Sequence, residues 1–363
     1  MSREIMDHIE DIKFMKIALK LSKKGTGFTA PNPLVGAVLV KDGKIIATGY
    51  HKRYGGSHAE YSALENIKEE NTTLYVSLEP CSHYGKTPPC AESIINRKVK
   101  RVVIAMQDPN PLVNGKGIKK LEENGIKVDV GILEDLSKKI NRHYLKFITK
   151  KLPYVTIKAG TSIDGKLTDK YRKSQWITGK QMRNLSHSLR GEFSAILVGM
   201  KTVIDDDPQL TIREKEWGDR KIHRVIIDSR NILDPGLRVF RDREQFPLIL
   251  FSAKDTKNKE RKTERHFFIS EDEDGLDLKQ VLKILGSLAI SSILIEGGGG
   301  IIDSFLKQKL YDEIFLFVGD KLIGGKESVE LFPSGAAINR PVVLKRKEII
   351  ELKPGYLLRG FRV

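Results

Sequence analysis

Apolar residues recur three and four positions apart near the start of the chain, at Ile12, Met15, Ala18 and Leu19, and predict an amphipathic helix. The pattern then changes. Val35 to Val40 and Lys44 to Gly49 are short apolar-rich runs flanking Asp42-Gly43, a pair that suits a two-residue hairpin turn, whose central positions take positive φ. Further on, the chain predicts a helix from His58 to Lys68, a strand from Thr73 to Leu78, a helix after Cys90 and a strand over Arg101 to Ala105. Lys116 to Asn124 reads as a helix with Gly125 placed to end it, Lys127 to Val130 as a strand, and Glu134 to Thr149 as a single charged amphipathic helix. Alternation of this kind predicts an α/β domain.

Leu152-Pro153 stops that last helix, because a residue before proline is pushed out of the α region. A new strand pattern, Tyr154 to Lys158, begins at once. Apolar runs at Ala195 to Val198, Arg224 to Ile227, Leu248 to Phe251, Ser292 to Ile295 and Ile314 to Val318, with helical stretches between several of them, predict a second α/β domain. The 363 residues exceed the roughly 100–200 usual for one domain, and the boundary is placed near residue 151, giving domains 1–151 and 152–363.

Composition adds little to that picture and charge adds one question. The formal net charge is +16, yet residues 1–150 hold 25 Lys and Arg against 17 Asp and Glu and the remainder holds 38 against 30, so the excess is even. A nucleic-acid footprint would be a concentrated stripe with interleaved aromatics. The densest run, Lys254 to His266, reads instead as a solvated excursion between strands, and diffuse basicity suits an anionic, phosphorylated small substrate. No run approaches the roughly 18 apolar residues of a membrane span, and the first residues lack the apolar core of a signal peptide, so a cytoplasmic location is expected.

Only two cysteines exist, Cys81 and Cys90, and a structural disulfide between them is disfavoured in the cytosol. With His58 they supply one imidazole and two thiols, the ligand set zinc takes when one position stays open to water. Zinc lowers the pKa of such a water from 15.7 to about 7, and Glu60, two residues from His58, is placed to shuttle its proton. His-Ala-Glu followed by Pro-Cys is the zinc-deaminase signature, except that Ser82 to Pro89 separate the cysteines where a single helical turn would be usual.

Those residues and their surroundings resemble the bifunctional riboflavin-biosynthesis deaminase/reductase family. The likeness runs through Pro31-Asn32-Pro33-Leu34-Val35-Gly36, Gly49-Tyr50-His51, His58-Ala59-Glu60, Leu78 to Cys90 with its long cysteine spacing, and Gln107-Asp108-Pro109-Asn110-Pro111. It continues through Lys158-Ala159-Gly160, Ser162 to Gly165, Ser174 to Thr178, Asp206-Asp207-Pro208, Ile227-Asp228-Ser229 and Glu296-Gly297-Gly298. The resemblance implies a cytidine-deaminase-like three-layer N-terminal domain and a dihydrofolate-reductase-like C-terminal domain. It also implies two consecutive reactions. A ring amino group of a diamino-hydroxy-phosphoribosylamino-pyrimidine is replaced by oxygen with the help of zinc, and the ribosyl group is then reduced to ribityl by NADPH.

Carried over by that resemblance, His58, Cys81 and Cys90 match the zinc ligands and Glu60 the proton shuttle, while Asn32, His51, Lys86, Asp108 and Asn110 match deaminase substrate contacts. Lys86 would meet the phosphate, and Asn32 and Asp108 would bond ring donors and acceptors. Gly160, Trp176, Thr202, Asp206 and Ser229 match cofactor contacts, as do Gly298, Gly299, Gly300, Ile301, Ile302, Asp303 and Ser304. The run from Glu296 to Gly300 follows a strand and opens a helix, so bare amides there would face a cofactor phosphate. Ser174, Arg190, Leu210, Arg213 and Glu296 match reductase-substrate contacts, the two arginines as phosphate clamps. Phosphorylated pyrimidines are the expected partners, nucleic acid and membrane are not, and self-association into a homo-oligomer is expected.

Two rivals stand beside this reading. A nucleic-acid-editing deaminase would use the same zinc chemistry but needs a strand-binding groove. The second domain would alternatively be a binding or oligomerisation module with no catalysis of its own.

Overall fold

Central strands buried on both faces organise the two larger sheets of the computed structural model, which describes residues 3–84, 88–171, 177–218, 220–259, 265–273, 275–336 and 339–362. Two compact units emerge, Met1–Lys151 and Leu152–Val363. In the first, the helix α1 (Arg3–Ser22) leads to the hairpin β1 (Gly36–Lys41) and β2 (Lys44–Tyr50). Asp42 and Gly43 turn it at φ 49° and 73°, the positive values the sequence required. Then follow α2 (Ala59–Leu64), β3 (Thr73–Val76), α3 (Cys90–Asn96), β4 (Arg101–Ile104), α4 (Lys116–Glu123), β5 (Lys127–Val130), α5 (Glu134–Ile140) and α6 (Arg142–Lys150).

The strands form one sheet in the order β2-β1-β3-β4-β5, antiparallel at the hairpin side and parallel from β3 onward. Ala37, Leu39, Leu74, Val76, Val102 and Ile104 face one core with Ala63, Ala91, Ile94 and Leu121. Val38, Val40, Tyr75 and Val103 alternate with them and face α1 through Phe14, Met15, Ala18 and Leu19. Helices therefore cover both faces, and each fully buried Leu, Ile or Phe contributes roughly 1.5–3 kcal/mol.

Two sequence expectations change here. The helix expected over His58 to Lys68 ends at Leu64. The one expected from Glu134 to Thr149 is interrupted at Asn141, whose φ of −92° and ψ of 14° depart from helical values. Its buried amide is engaged elsewhere, accepting from Leu34 N at 2.8 Å and donating to Leu34 O at 3.0 Å.

The second unit contains β6 (Tyr154–Thr161), α7 (Lys180–Leu189), β7 (Ala195–Gly199), α8 (Met200–Asp206), β8 (His223–Ile227), β9 (Leu248–Ala253), β10 (His266–Ile269), β11 (Glu271–Asp272) and β12 (Gly275–Leu276). It continues with α9 (Leu278–Ser287), β13 (Ser292–Glu296), α10 (Gly299–Lys307), β14 (Glu313–Val318), β15 (Leu344–Glu351) and β16 (Tyr356–Arg362). Its main sheet runs β10-β9-β8-β7-β13-β6-β14-β16-β15, parallel as far as β14 and antiparallel at the last two strands. Val155, Ile157, Leu197, Val225, Ile293 and Ile295 pack under α9 and α10, while Ile196, Val198 and Ile226 pack with Val203 of α8 on the other face. Strand order reverses around β13, which lies between β7 and β6, and ligands of such sheets bind beyond the carboxyl ends at a reversal of this kind. No helix among the described residues is long and apolar enough to cross a membrane.

Candidate active sites

In the first unit, His58 is the N-cap of α2, Cys81 follows the extended segment after β3, and Cys90 opens α3. Their side chains converge. His58 Nδ1 lies 3.2 Å from Cys90 Sγ and 3.6 Å from Cys81 Sγ, and all three ligand atoms fall within 4.8 Å of one another. Zn–S and Zn–N bonds of about 2.3 and 2.0 Å around a tetrahedral ion imply ligand separations of roughly 3.5 Å, so the donor set fits zinc in both chemistry and spacing. Both cysteines are free thiols. A hydrogen bond from Cys90 lowers the pKa of Cys81 to about 4 against the cost of its burial, helped by His58, and the same pairing raises Cys90. One thiolate is thus already stabilised by its neighbours.

Glu60 stands in the first turn of α2, 3% exposed. Burial pushes its carboxyl up to about 7, while the charge of His58 opposes the rise. Next to the ligands, His51 Nδ1 donates to Ser57 O (3.0 Å), its Nε2 lies 3.4 Å from Asn32 Nδ2, and its ring meets that of His58 edge-on at 5.5 Å. Asn32, His51, His58 and Glu60 therefore share one neighbourhood. Lys86 lies outside the described residues.

Asp108 and Asn110 follow β4 in a loop held by Glu79, whose role no sequence motif announces. Buried Glu79 accepts from the amides of Asp108 (3.1 Å) and Gly115 (2.9 Å) on Oε2, and of Gly117 (2.9 Å) and Ile118 (3.3 Å) on Oε1. A carboxylate carries two oxygens and no hydrogen, so it alone among side chains satisfies such a set of donors. The Asp108 carboxylate accepts from Asn110 N (2.9 Å) and from Tyr144 Oη (2.9 and 3.0 Å), and burial raises its pKa against those bonds. Asn110 Oδ1 is engaged at Leu112 N, 3.2 Å away.

In the second unit a cavity of about 760 Å³ opens beyond the carboxyl ends of β6, β7 and β13. Gly160, Thr202, Asp206, Leu210, Ser229, Glu296, Gly298, Gly299, Gly300, Ile301 and Ser304 all line it, as does Arg190. The glycine run does open a helix, with Gly298 as N-cap of α10. Its amide, however, is donated to Thr202 Oγ1 at 2.9 Å, so it is not a bare phosphate donor.

Other predicted site residues make contacts that the sequence did not announce. Arg190 is no open clamp: its Nε and Nη2 are donated to Glu296 at 2.9 and 2.7 Å and its Nη1 to Thr211 O at 2.9 Å. Arg213 is exposed and outside the lining. Ile302 points into the core with Phe305, and Asp303 accepts from Ser334 N and Oγ, so neither side chain reaches the cavity. Ser174 and Trp176 lie outside the described residues.

Among the lining residues that were given no role from sequence are two titratable ones, Lys158 and His187. Lys158 pairs in register with Glu296 across β6 and β13, which places both side chains on the same face. Burial lowers Lys158 against the attraction of Glu296. Burial would raise Glu296, but the charges of Arg190 and Lys158 together outweigh it and hold the carboxyl at about 2. Burial lowers His187, and Arg190 adds to the effect. His187 precedes Arg190 by three residues, one helical turn, which is the signal that would have found it.

Comparison with known proteins bears on both halves. Residues 8–106 match the model of the cytidine and deoxycytidylate deaminase zinc-binding region, and residues 153–358 match that of the RibD C-terminal domain. The riboflavin biosynthesis protein RibD of Aquifex aeolicus is 43% identical over 316 residues, 86% of this chain and 88% of that protein. That of Escherichia coli is 38% identical over 331 residues, 87% of this chain and 89% of that protein. Among solved structures, a diaminohydroxyphosphoribosylaminopyrimidine deaminase/5-amino-6-(5-phosphoribosylamino)uracil reductase from Thermotoga maritima is 36% identical with a TM-score of 0.88, covering 98% of this chain and 100% of that one. RibD from Acinetobacter baumannii, form 1, is 34% identical with the same TM-score, 98% and 99% covered.

Proposed function

This chain belongs to the RibD family of bifunctional deaminase/reductases of riboflavin biosynthesis, and from that membership we propose which of its residues carry each reaction. It is a hydrolase and an oxidoreductase that uses zinc and NADPH. We assign deamination to Met1–Lys151 and reduction to Leu152–Val363. The substrates assigned are those in the name of the Thermotoga maritima relative. The observation that carries the reading is the convergence of His58, Cys81 and Cys90 beside a buried Glu60, in a chain with a separate cavity at its second sheet.

When bound by His58, Cys81 and Cys90, zinc supplies a Lewis acid that makes water nucleophilic at neutral pH. Glu60 would take a proton from the attacking water and return it to the leaving amine, so that the ring C–N bond is exchanged for C–O and ammonia departs. Its raised pKa suits a group that must both accept and return a proton. Asn32 and Asp108 orient the pyrimidine by its ring donors and acceptors, and His51 supports Asn32. Lys86 is assigned to the substrate phosphate.

When bound, NADPH would supply the hydride that reduces the anomeric carbon of the ribosyl group, and a proton would be needed at the ring oxygen as the sugar opens. Gly160, Thr202, Ser229 and the Gly298–Gly300 segment are assigned to the cofactor, and Arg190-paired Glu296, with Leu210, to the substrate. Asp206 lines the same cavity, and burial followed by the charge of Asp205 raises its carboxyl, which suits a proton donor.

The two free thiols in the ligand set favour a reducing, cytoplasmic compartment. The even charge argues for small phosphorylated substrates over nucleic acid. Self-association into a homo-oligomer belongs to the same proposal and is read by light scattering.

Purified protein should hold about one zinc per chain, convert the diaminopyrimidine to its deaminated form without NADPH, and yield the ribityl product when NADPH is added, all followed by mass. Cys90→Ser should lose zinc and deamination together. Retention of zinc and full activity in that variant would defeat the ligand assignment.

A further inference from the structure

Helices α5 and α6 contain a buried polar stripe where an apolar one would be usual. Ser137, Asn141 and Tyr144 stand at i, i+4 and i+7 across the junction of the two helices and are 0%, 2% and 7% exposed. Each bonds to a different segment of the deaminase site. Ser137 Oγ donates to Ser77 O at 2.6 Å, on the segment that runs into Glu79 and Cys81. Asn141 bonds both the N–H and the C=O of Leu34, two residues after Asn32. Tyr144 Oη donates to both carboxylate oxygens of Asp108. The stripe also lies beyond residue 106, past the segment shared with cytidine and deoxycytidylate deaminases.

We propose that this stripe is a three-point brace whose residues act as positioning residues, setting Asn32 and Asp108 at the spacing that selects the pyrimidine ring. The alternative of a purely structural stripe leaves unexplained why polar groups occupy these sites. A buried polar group costs stability unless paired, and apolar side chains would hold the helices without that demand. The brace instead ties the two loops to the junction of two consecutive helices packed on the sheet, a support of the kind by which side chains keep a binding geometry within a fraction of an ångström. Burial, with the negative charge of Asp108, raises the Tyr144 hydroxyl, so Tyr144 remains the donor of the pair.

The proposal rests on Asn32 and Asp108 being substrate contacts, so the test separates the two ideas. Steady-state deamination is measured for the full chain carrying Tyr144→Phe, Asp108→Asn or both, with zinc content and NADPH oxidation on supplied intermediate as internal controls. Tyr144→Phe should raise KM about tenfold, the loss of one hydrogen bond to a charged group, with kcat within about twofold. Zinc and reductase turnover should be unchanged, and the variant should add nothing further once Asp108 is already Asn. Asn141→Asp, isosteric but unable to donate to Leu34 O, should raise KM similarly and supplies the second arm if Tyr144→Phe does not fold. An unaltered KM in the folded brace variants overturns the proposal, as does an equal effect of Tyr144→Phe in both backgrounds. An unaltered KM in Asp108→Asn overturns instead the assignment of Asp108 to substrate, and the brace loses its premise with it.

Discussion

Glu296 shows how one residue in the second unit ties sequence, packing and solution behaviour. Its side chain and that of Arg190 are each 11% exposed, and the pair closes with two parallel hydrogen bonds. The folded carboxyl sits at about 2, below its ordinary 4.5. A depressed pKa stabilises the fold above the unfolded value and loses that contribution as pH falls through the folded one. The stability difference between the parent and Glu296→Gln should therefore be largest above pH 4.5 and shrink toward pH 2, by an amount on the order of 3 kcal/mol. Urea unfolding of the two proteins at several pH values reads it directly. A difference that does not change with pH would mean that the pair contributes through shape alone.

Among the elements, α4 depends on a close approach that no helix propensity reveals. A Cβ on Gly117 would lie 2.0 Å from Pro80 O, a backbone atom next to Cys81, and Gly117 N is also one of the donors to Glu79. Gly117→Ala should push α4 away, lower the unfolding free energy by the roughly 1–3 kcal/mol typical of overpacking, and cut deamination at least tenfold while reduction continues. Gly125 supplies the control. It caps the same helix at φ 75° with its amide on Glu122 O and that of Ile126 on Leu121 O, yet a Cβ there meets nothing within 4 Å. Gly125→Ala should cost only about 1–2 kcal/mol of backbone strain and leave both activities intact. Parallel activity loss in the two variants would rule out the contact with Pro80 as the cause.

That contrast also explains what could be read from sequence. Asp42-Gly43 and Gly125 announce themselves because their conformations are local, and His58, Glu60, Cys81 and Cys90 because metal chemistry restricts residue type. The break at Asn141 serves a partner 107 positions away, and Arg190 meets Glu296 across 106, so no local pattern marks either. Strands β15 and β16 went unread for another reason. Leu344–Glu351 is a charged, mostly exposed strand at the sheet edge, lacking the apolar runs by which its neighbours were recognised.

At the scale of the whole molecule, the candidate zinc ligands and the cavity lining fall in different units, so the residues proposed for the two reactions do not overlap. Glu60→Ala should lower deamination by roughly 10² to 10⁴ and spare reduction of supplied intermediate. Gly298→Asp should do the reverse. The new Cβ meets only Thr202 Oγ1, at 3.7 Å, so the fold tolerates it, while its negative charge stands among the cofactor positions. The ribosyl intermediate should then accumulate, as mass analysis will show, and loss of both activities in either folded variant would mean a single coupled site. The strand order carries a last consequence, for synthesis. The first sheet draws all its strands from residues 36–130, so it is complete before the second begins to emerge from the ribosome. β6 is made first in its unit yet lies between β13 and β14, and must wait unpaired until residues 292–318 follow. The deaminase half can thus condense during translation, whereas the reductase half closes late, leaving a newly made apolar strand exposed to aggregation for most of the time its unit takes to translate.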